Sequence, residues 1–212
     1  MISHNHKFIL ISPQKTGTTS VTSCLLKYAD YHRINKQGPT FDYIDEFCDM
    51  QPWLKKYGSK HIKLRVVKQN LLNKHIDYFE YLKIGMIRNP YDRVVSAWRY
   101  GFNNRRKKFK DYLKGLFESS KYEKRNLNMC DFFKVGGDIE TDLYIKYENI
   151  QRDFNIVCKK IGVPYQQLPH KNKGGHRHYS QYYDKETRSM VSDIYAEDID
   201  TFKYKFEYLD IR

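Results

Sequence analysis

Short apolar runs alternate with amphipathic stretches along most of this chain. Residues 7–12 (KFILIS), 83–88 (KIGMIR) and 143–147 (LYIKY) are rich in apolar side chains, which predicts three buried strands. Elsewhere apolar residues recur three and four positions apart, and this spacing predicts helices from Thr18 and near residues 43–56, 69–80, 91–100, 107–117, 129–135, 150–161 and 185–195. Loops are expected over residues 116–128 and 163–183.

The alternation of strands and helices favours an α/β fold. We expect a single domain over residues 1–212, with a central parallel sheet flanked by helices and a layout like that of nucleotide kinases. Asn149 and Asp184 stand directly before two of the predicted helices, where their side chains are suitable N-caps.

The loop after the first strand has the composition of an anion-binding site. The segment PQKTGTTS (residues 13–20) leads into a predicted helix, whose N-terminal N–H groups and dipole attract negative charge. The segment also provides one positive charge and several hydroxyl groups, from Lys15, Thr16, Thr18, Thr19 and Ser20. The alternative explanation is a plain helix N-terminus, where Ser and Thr are common.

This loop differs from the ATP-binding P-loop, G-x-x-x-x-G-K-[ST], in which glycine comes before the lysine. Here Lys15 precedes Gly17, and the loop has no glycine upstream of the lysine. The order indicates an anion cradle of a different kind.

A second polar segment follows the predicted strand at residues 83–88. Asn89-Pro90 ends that strand, so Arg88 stands at its carboxyl end and Ser96 lies two turns into the next helix. Ligands of open α/β sheets bind beyond the carboxyl ends of the strands. If the first two strands are neighbours, Arg88 and the Lys15 loop face the same crevice.

The segments PQKTGTTS and IRNPYDRVVSAW resemble the two cofactor signatures of sulfotransferases that use 3′-phosphoadenosine 5′-phosphosulfate (PAPS). Residues 145–154 (IKYENIQRDF) and 182–206 look most similar to the carbohydrate branch of that family, which includes chondroitin and heparan enzymes. The resemblance implies PAPS as cofactor, a hydroxyl acceptor, and a carbohydrate as the bearer of that hydroxyl. It also implies a grip on the 5′-phosphosulfate by Lys15, Thr16, Gly17, Thr18, Thr19 and Ser20, and on the 3′-phosphate by Arg88 and Ser96.

Sulfuryl transfer is an in-line displacement, so positioning and charge stabilisation carry most of the catalysis. Lys15 is the candidate for stabilising charge on the departing phosphate oxygen. His61, in the segment GSKHIKLRVVKQNL, is the candidate general base, since histidine titrates near neutral pH and some family members carry a similar Lys-His pair. A surface histidine is the alternative explanation, and Glu46 or Glu80 is the alternative base.

The segment HKNKGGHRHYSQYY (residues 170–183) is the third candidate site. Its glycines and cations are typical of a basic loop that closes over an anion, and the family often uses a late loop in this way. Lys173, Arg177 and Tyr179 are therefore expected to complete the 3′-phosphate and adenine pocket. A solvated charged loop is the alternative. The histidines show no metal-ligand spacing, so we expect no metal site.

The charge balance favours anionic partners. The chain has 38 Lys+Arg against 25 Asp+Glu, a net charge of +13. This excess suits a phosphorylated cofactor and a polyanionic glycan acceptor, and residues 103–114 either line the acceptor groove or form a solvated helix face. A nucleotide-dependent kinase and a basic nucleic-acid-binding protein are the two alternatives. We expect no nucleic-acid partner, because no known nucleic-acid module appears.

No segment resembles a signal peptide, and no window approaches the ~20 apolar residues that span a membrane. The sequence therefore predicts a cytoplasmic protein without a membrane span, or else a trimmed lumenal catalytic domain. The pattern indicates no particular oligomeric state.

Overall fold

The computed structural model of this chain describes residues 1–30, 61–100, 106–123, 128–169 and 177–209. The chain divides into two compact units. The first, here called the sheet unit, comprises Met1–Ile87 and Phe132–Lys171; the second, the helical unit, comprises Arg88–Asp131 and Asn172–Arg212.

The strands of the described residues are β1 (Ile2–Ser3), β2 (Phe8–Ile11), β3 (Leu82–Ile87), β4 (Lys134–Val135), β5 (Asp138–Ile139) and β6 (Leu143–Lys146). A four-stranded sheet in the order β1–β2–β3–β6 forms the centre of the sheet unit, while β4 and β5 pair separately. β2 and β3 are parallel, with Ile11 opposite Gly85, and β3 and β6 are parallel, with Ile87 opposite Lys146. β1 is antiparallel to β2. The predicted parallel sheet is confirmed. Its first two predicted strands, β2 and β3, are neighbours.

The α-helices of the described residues are α1 (Thr18–Leu25), α2 (Leu64–Asn73), α3 (Pro90–Tyr100), α4 (Phe109–Glu123), α5 (Cys130–Phe133), α6 (Ile150–Lys160), α7 (Lys185–Ile194) and α8 (Ala196–Phe202). None of these helices is long and apolar enough to cross a membrane.

The core of the sheet unit lies between the sheet and helices α1 and α6. All four residues of β2 are buried, as expected of a strand covered on both faces. Val21 of α1 and Phe154 of α6 have no exposed surface and pack in one cluster with Ile84 and Ile145 of the sheet. The predicted α/β fold, a central mostly parallel sheet flanked by helices, is therefore confirmed.

The helical unit has its own aromatic core. Tyr91 and Trp98 of α3 pack with Phe109 of α4 and with Tyr179. The fully buried Asp198 carboxylate joins three helices, since it accepts hydrogen bonds from the N–H groups of Met129 and Cys130 at 2.7 and 2.9 Å and lies 3.6 Å from the Arg93 guanidinium.

Several predicted bounds are wrong. The helix expected at residues 69–80 is α2, which begins at Leu64. It ends because His75 adopts a left-handed conformation (φ +57°) and the Ile76 N–H turns back to the Leu71 carbonyl at 2.9 Å. A separate 3₁₀ turn, Tyr78–Glu80, follows.

The loop predicted at residues 116–128 is also wrong in part, because α4 continues to Glu123. The helix predicted at 129–135 is shorter, and its last two positions form β4. The pattern missed β1, β5 and α8, which are too short to show a clear periodicity. The helix expected at residues 43–56 lies outside the described residues.

Candidate active site

The loop between β2 and α1 turns through two left-handed residues. Lys15 has φ +68° and Gly17 has φ +84°. Between them Thr16 is fully buried, and its hydroxyl donates to the Pro13 carbonyl at 2.8 Å. The Thr16 hydroxyl thus closes the loop on itself, while Lys15 is half-buried beside it.

No local side chain balances the positive end of the helix dipole at the N-terminus of α1. Its N-cap is Gly17, which offers no side-chain cap, and the first turn contains no acidic residue. Thr18, Thr19 and Ser20 form that first turn, with Thr19 exposed and the other two half-buried. An uncapped helix N-terminus with an adjacent lysine suits an anionic ligand.

Helix α7 shows what a compensated N-terminus looks like in the same chain. The Asp184 side chain accepts from the Thr187 N–H at 2.7 Å in a capping box, and Glu186 adds a negative charge in the first turn. These hydrogen bonds from Thr187 lower the pKa of Asp184 below its usual value. At α1 neither a side-chain cap nor an acidic first-turn residue is present, and the same holds for α2, so the neighbouring Lys15 and Gly17 are what mark α1 as a candidate anion site.

His61 lies beside the start of the loop. Its Nδ1 is 2.7 Å from the backbone oxygen of Ser12, the residue after β2. Since a carbonyl oxygen only accepts, Nδ1 is the donor in this contact, and in a neutral ring the unprotonated nitrogen is then Nε2. This tautomer is the one that a general base requires. The contact joins residues that the sequence separates widely, so no local signal could have indicated it.

Glu80, one of the two alternative bases, does not lie near the loop. Glu80 is exposed and pairs with Lys7 at 2.7 Å. Lys7 immediately precedes β2, and Glu80 comes two residues before β3, so the pair lies at the amino edge of these parallel strands, opposite the loop. Glu46 lies outside the described residues.

Arg88 is the first residue of the helical unit and is buried. Its Nε and one terminal nitrogen each lie 2.8 Å from the same carboxylate oxygen of Asp92, four residues along the chain. Ser96, half-buried, follows Asp92 at the same spacing on α3, so both lie on one helix face. Sequence analysis missed Asp92, although its i,i+4 spacing to Arg88 was visible.

The third predicted segment is described only in part. Lys173 lies outside the described residues, and Arg177 is exposed, with its backbone N–H donating to the Tyr182 hydroxyl at 3.2 Å. Tyr179 is only 5% exposed, and its hydroxyl accepts from the Glu207 N–H at 2.7 Å. Burial raises the pKa of Tyr179 to about 12. This environment favours a packing role for the Tyr179 side chain.

Within the described ranges, no group of three or more His, Cys, Asp or Glu side chains could hold a metal ion. The structure thus brings His61 to the start of the Lys15 loop in the sheet unit, and Ser96 onto the same helix as Asp92, the partner of Arg88, in the helical unit.

The sulfotransferase family model matches residues 1–205. The chain therefore belongs to the sulfotransferase family, whose members are transferases. No curated protein and no solved structure matches the chain.

Proposed function

We propose that this protein transfers a sulfuryl group from PAPS to a hydroxyl group of a carbohydrate. The observation that carries the proposal is the N-terminus of α1, where Lys15 and an uncapped helix start form an anion cradle. Family membership supports the reaction class, and the donor set of this loop fits the 5′ end of the cofactor.

On the 5′ side, we assign binding to Lys15, to the backbone N–H groups from Thr16 to Thr19, and to the hydroxyls of Thr18, Thr19 and Ser20. PAPS supplies the sulfuryl group when bound. Lys15 places a positive charge beside the 5′-phosphate oxygens, where negative charge increases as the reaction proceeds. The Thr16 hydroxyl holds the loop closed instead of contacting the ligand.

On the 3′ side, we assign phosphate binding to Arg88 and Ser96. The ion pair with Asp92 orients the buried guanidinium and limits its rotamers, which lowers the entropic cost of binding. Lys173 and Arg177 are proposed as further contacts from the late basic segment. The buried Tyr179 packs with Tyr91 of α3 in the aromatic core of the helical unit.

His61 is the proposed general base. Its Nδ1–H donates to the Ser12 carbonyl, and its Nε2 takes the proton of the acceptor hydroxyl. The Ser12 carbonyl also stabilises the protonated ring after that transfer, since Nδ1–H remains its donor. The proposal of a carbohydrate acceptor rests on the sequence resemblance and on the net charge of +13.

A thermal-shift titration tests the cofactor assignment. Adenosine 3′,5′-bisphosphate, ADP, and ATP with magnesium are each added to the intact chain, because a ligand of the native state raises Tm with concentration. We expect the bisphosphate to stabilise the protein most. Preference for ATP with magnesium would favour a kinase, and no response to any ligand would contradict the proposed cofactor site.

A further inference from the structure

The glycine of the anion cradle has no room for a side chain. A Cβ atom at Gly17 would lie 2.8 Å from Tyr147 Cδ2 and 2.9 Å from Ile150 Cδ1, closer than such atoms pack in proteins. The same residue has φ +84°, which disfavours any other residue type. Tyr147 and Ile150 therefore lie directly against the backbone of the loop.

Both side chains come from a turn that is itself held firmly. Tyr147 directly follows β6, and Ile150 begins α6. The buried Asp153 fixes this turn, because one of its carboxylate oxygens accepts from the Lys146 N–H at 3.0 Å while the other is 3.0 Å from Arg152. The Tyr147 ring is thus carried by a hydrogen-bonded connection at the carboxyl end of β6.

We propose that Tyr147 is a positioning residue of the anion cradle, with Ile150 as its support. This inference rests on the proposed function. A glycine samples both signs of φ with little cost, so Gly17 by itself does not hold one conformation. The ring limits that freedom, and it thereby sets the direction of the first N–H groups of α1.

The aromatic ring of Tyr147, and not its hydroxyl, makes the contact with Gly17. The atoms that approach Gly17 are Cδ2 and Cε2, at 2.8 and 3.2 Å from the Cβ position. Substitution by Phe preserves these atoms, whereas substitution by Ala removes them. Because small displacements of a binding group reduce its contribution steeply, the two variants are expected to differ in ligand affinity.

The test is isothermal titration of the full chain with adenosine 3′,5′-bisphosphate and with adenosine 3′-monophosphate. The second probe lacks the group that the cradle holds. We expect Tyr147→Ala to weaken bisphosphate binding by about tenfold or more and to leave the monophosphate unchanged. We expect Tyr147→Phe to bind both probes like the wild type. Tyr165→Ala, which removes a 61% exposed tyrosine of the same unit, is the matched control.

Three outcomes separate this inference from the proposed function. Equal losses for both probes would mean general damage and would overturn the inference, as would an unchanged Tyr147→Ala variant. A wild-type chain that binds neither probe would overturn the proposed function itself. Selective loss of bisphosphate affinity, with rescue by Phe, supports both.

A double-mutant cycle with Gly17→Ala provides a second readout. Gly17→Ala alone should weaken bisphosphate binding through strain at positive φ and through collision with the ring. Since Tyr147→Ala removes the collision, we expect the double variant to bind no more weakly than Gly17→Ala alone. Losses that add fully would contradict a direct contact.

Discussion

At the scale of single residues, the backbone of Lys15 is the most informative detail of the cradle. A non-glycine residue at φ +68° carries a strain of about 1–2 kcal/mol, and such strain is often found at binding sites. Lys7, His75 and Lys203 also have positive φ, but they stand outside the loop. The strain at Lys15 falls in the same loop as Gly17, where we propose the anion site.

Lys15→Gln removes the charge while keeping a side chain of similar length and the same backbone strain. We expect kcat to fall by about 10²-fold or more, with a smaller loss of adenosine 3′,5′-bisphosphate affinity, because the charge acts mainly on developing negative charge. Steady-state kinetics and calorimetry check this. Lys27→Gln, on the 3₁₀ turn after α1, is the control. Equal losses in kcat and in bisphosphate affinity would contradict a transition-state role for Lys15.

His61→Asn keeps an N–H group able to reach the Ser12 carbonyl and removes the acceptor nitrogen. Turnover should drop by roughly 10²–10⁴-fold, with bisphosphate affinity preserved. Single-turnover assays and thermal shift measure the two effects. His75→Asn is a suitable control, since His75 is exposed and asparagine tolerates its positive φ. If the His61→Asn variant remains active, another residue is the general base.

Arg88→Lys retains one charge but loses the planar contact with Asp92. The variant should bind adenosine 3′,5′-bisphosphate about tenfold more weakly and AMP with unchanged affinity, because only the 3′-phosphate contact is altered. Competition titrations measure both constants. Discrimination between the two nucleotides that stays at the wild-type level would contradict the assignment.

At the scale of elements, helices α1 and α7 differ in how their N-termini are capped. The first begins at a glycine without a side-chain cap, and the second begins at a capping box built on Asp184. A capped helix stabilises itself, whereas an uncapped one leaves N–H groups to be satisfied by another partner. The start of α7 is stabilised by its own side chains, whereas we propose that the start of α1 binds a ligand.

The capping box makes part of the stability depend on pH. Because its hydrogen bonds from Thr187 lower the pKa of Asp184, this carboxylate stabilises the fold above its usual value of 3.8, and the contribution is lost as pH falls through the lowered pKa. We expect Asp184→Asn to lower Tm at neutral pH, with the difference from wild type shrinking in acid. Calorimetric scans over a pH series measure it.

Asp193→Asn is the matched control for this series. Asp193 is exposed in the last turn of α7, where a negative charge gains nothing from the helix dipole. Its substitution should not lower Tm at any pH. A Tm difference for Asp184→Asn that stays constant down to strong acid would argue against the ionised cap.

At the scale of the whole molecule, each of the two units has its own hydrophobic core and its own proposed binding residues. The sheet unit carries the Lys15 loop and His61, and the helical unit carries Arg88 and Ser96. The positive charge extends over both: Lys and Arg exceed Asp and Glu by 13 in the chain. Such a field attracts polyanions over distances that salt shortens.

We therefore expect binding of unsulfated chondroitin, an acidic polysaccharide, to weaken strongly as NaCl rises from about 50 to 300 mM. Affinity for neutral dextran should be negligible at both salt concentrations. Surface plasmon resonance with each polysaccharide immobilised measures the difference. Salt-independent binding to chondroitin would contradict an electrostatic acceptor surface, and tighter binding to DNA without sulfuryl transfer would favour the nucleic-acid alternative.

The features that depend on neighbouring residues could be predicted from the sequence. Apolar runs located β2, β3 and β6 to within a residue or so, the first helix begins at Thr18 as expected, and Pro90 starts α3 because its missing N–H is harmless there. The segments that contain the Lys15 loop and Arg88 could be found in the sequence in the same way, because each comes directly after a predicted strand.

Which distant groups come into contact depends on how the whole chain packs. His61 lies 49 residues from Ser12, and Tyr147 is even farther along the chain from Gly17, so neither contact leaves a local pattern. Burial of Tyr179 was equally hidden, because an aromatic residue in a polar segment looks the same whether it packs or binds. Local propensity acts between neighbours, whereas side-chain tautomer, burial and close approach depend on packing across the fold.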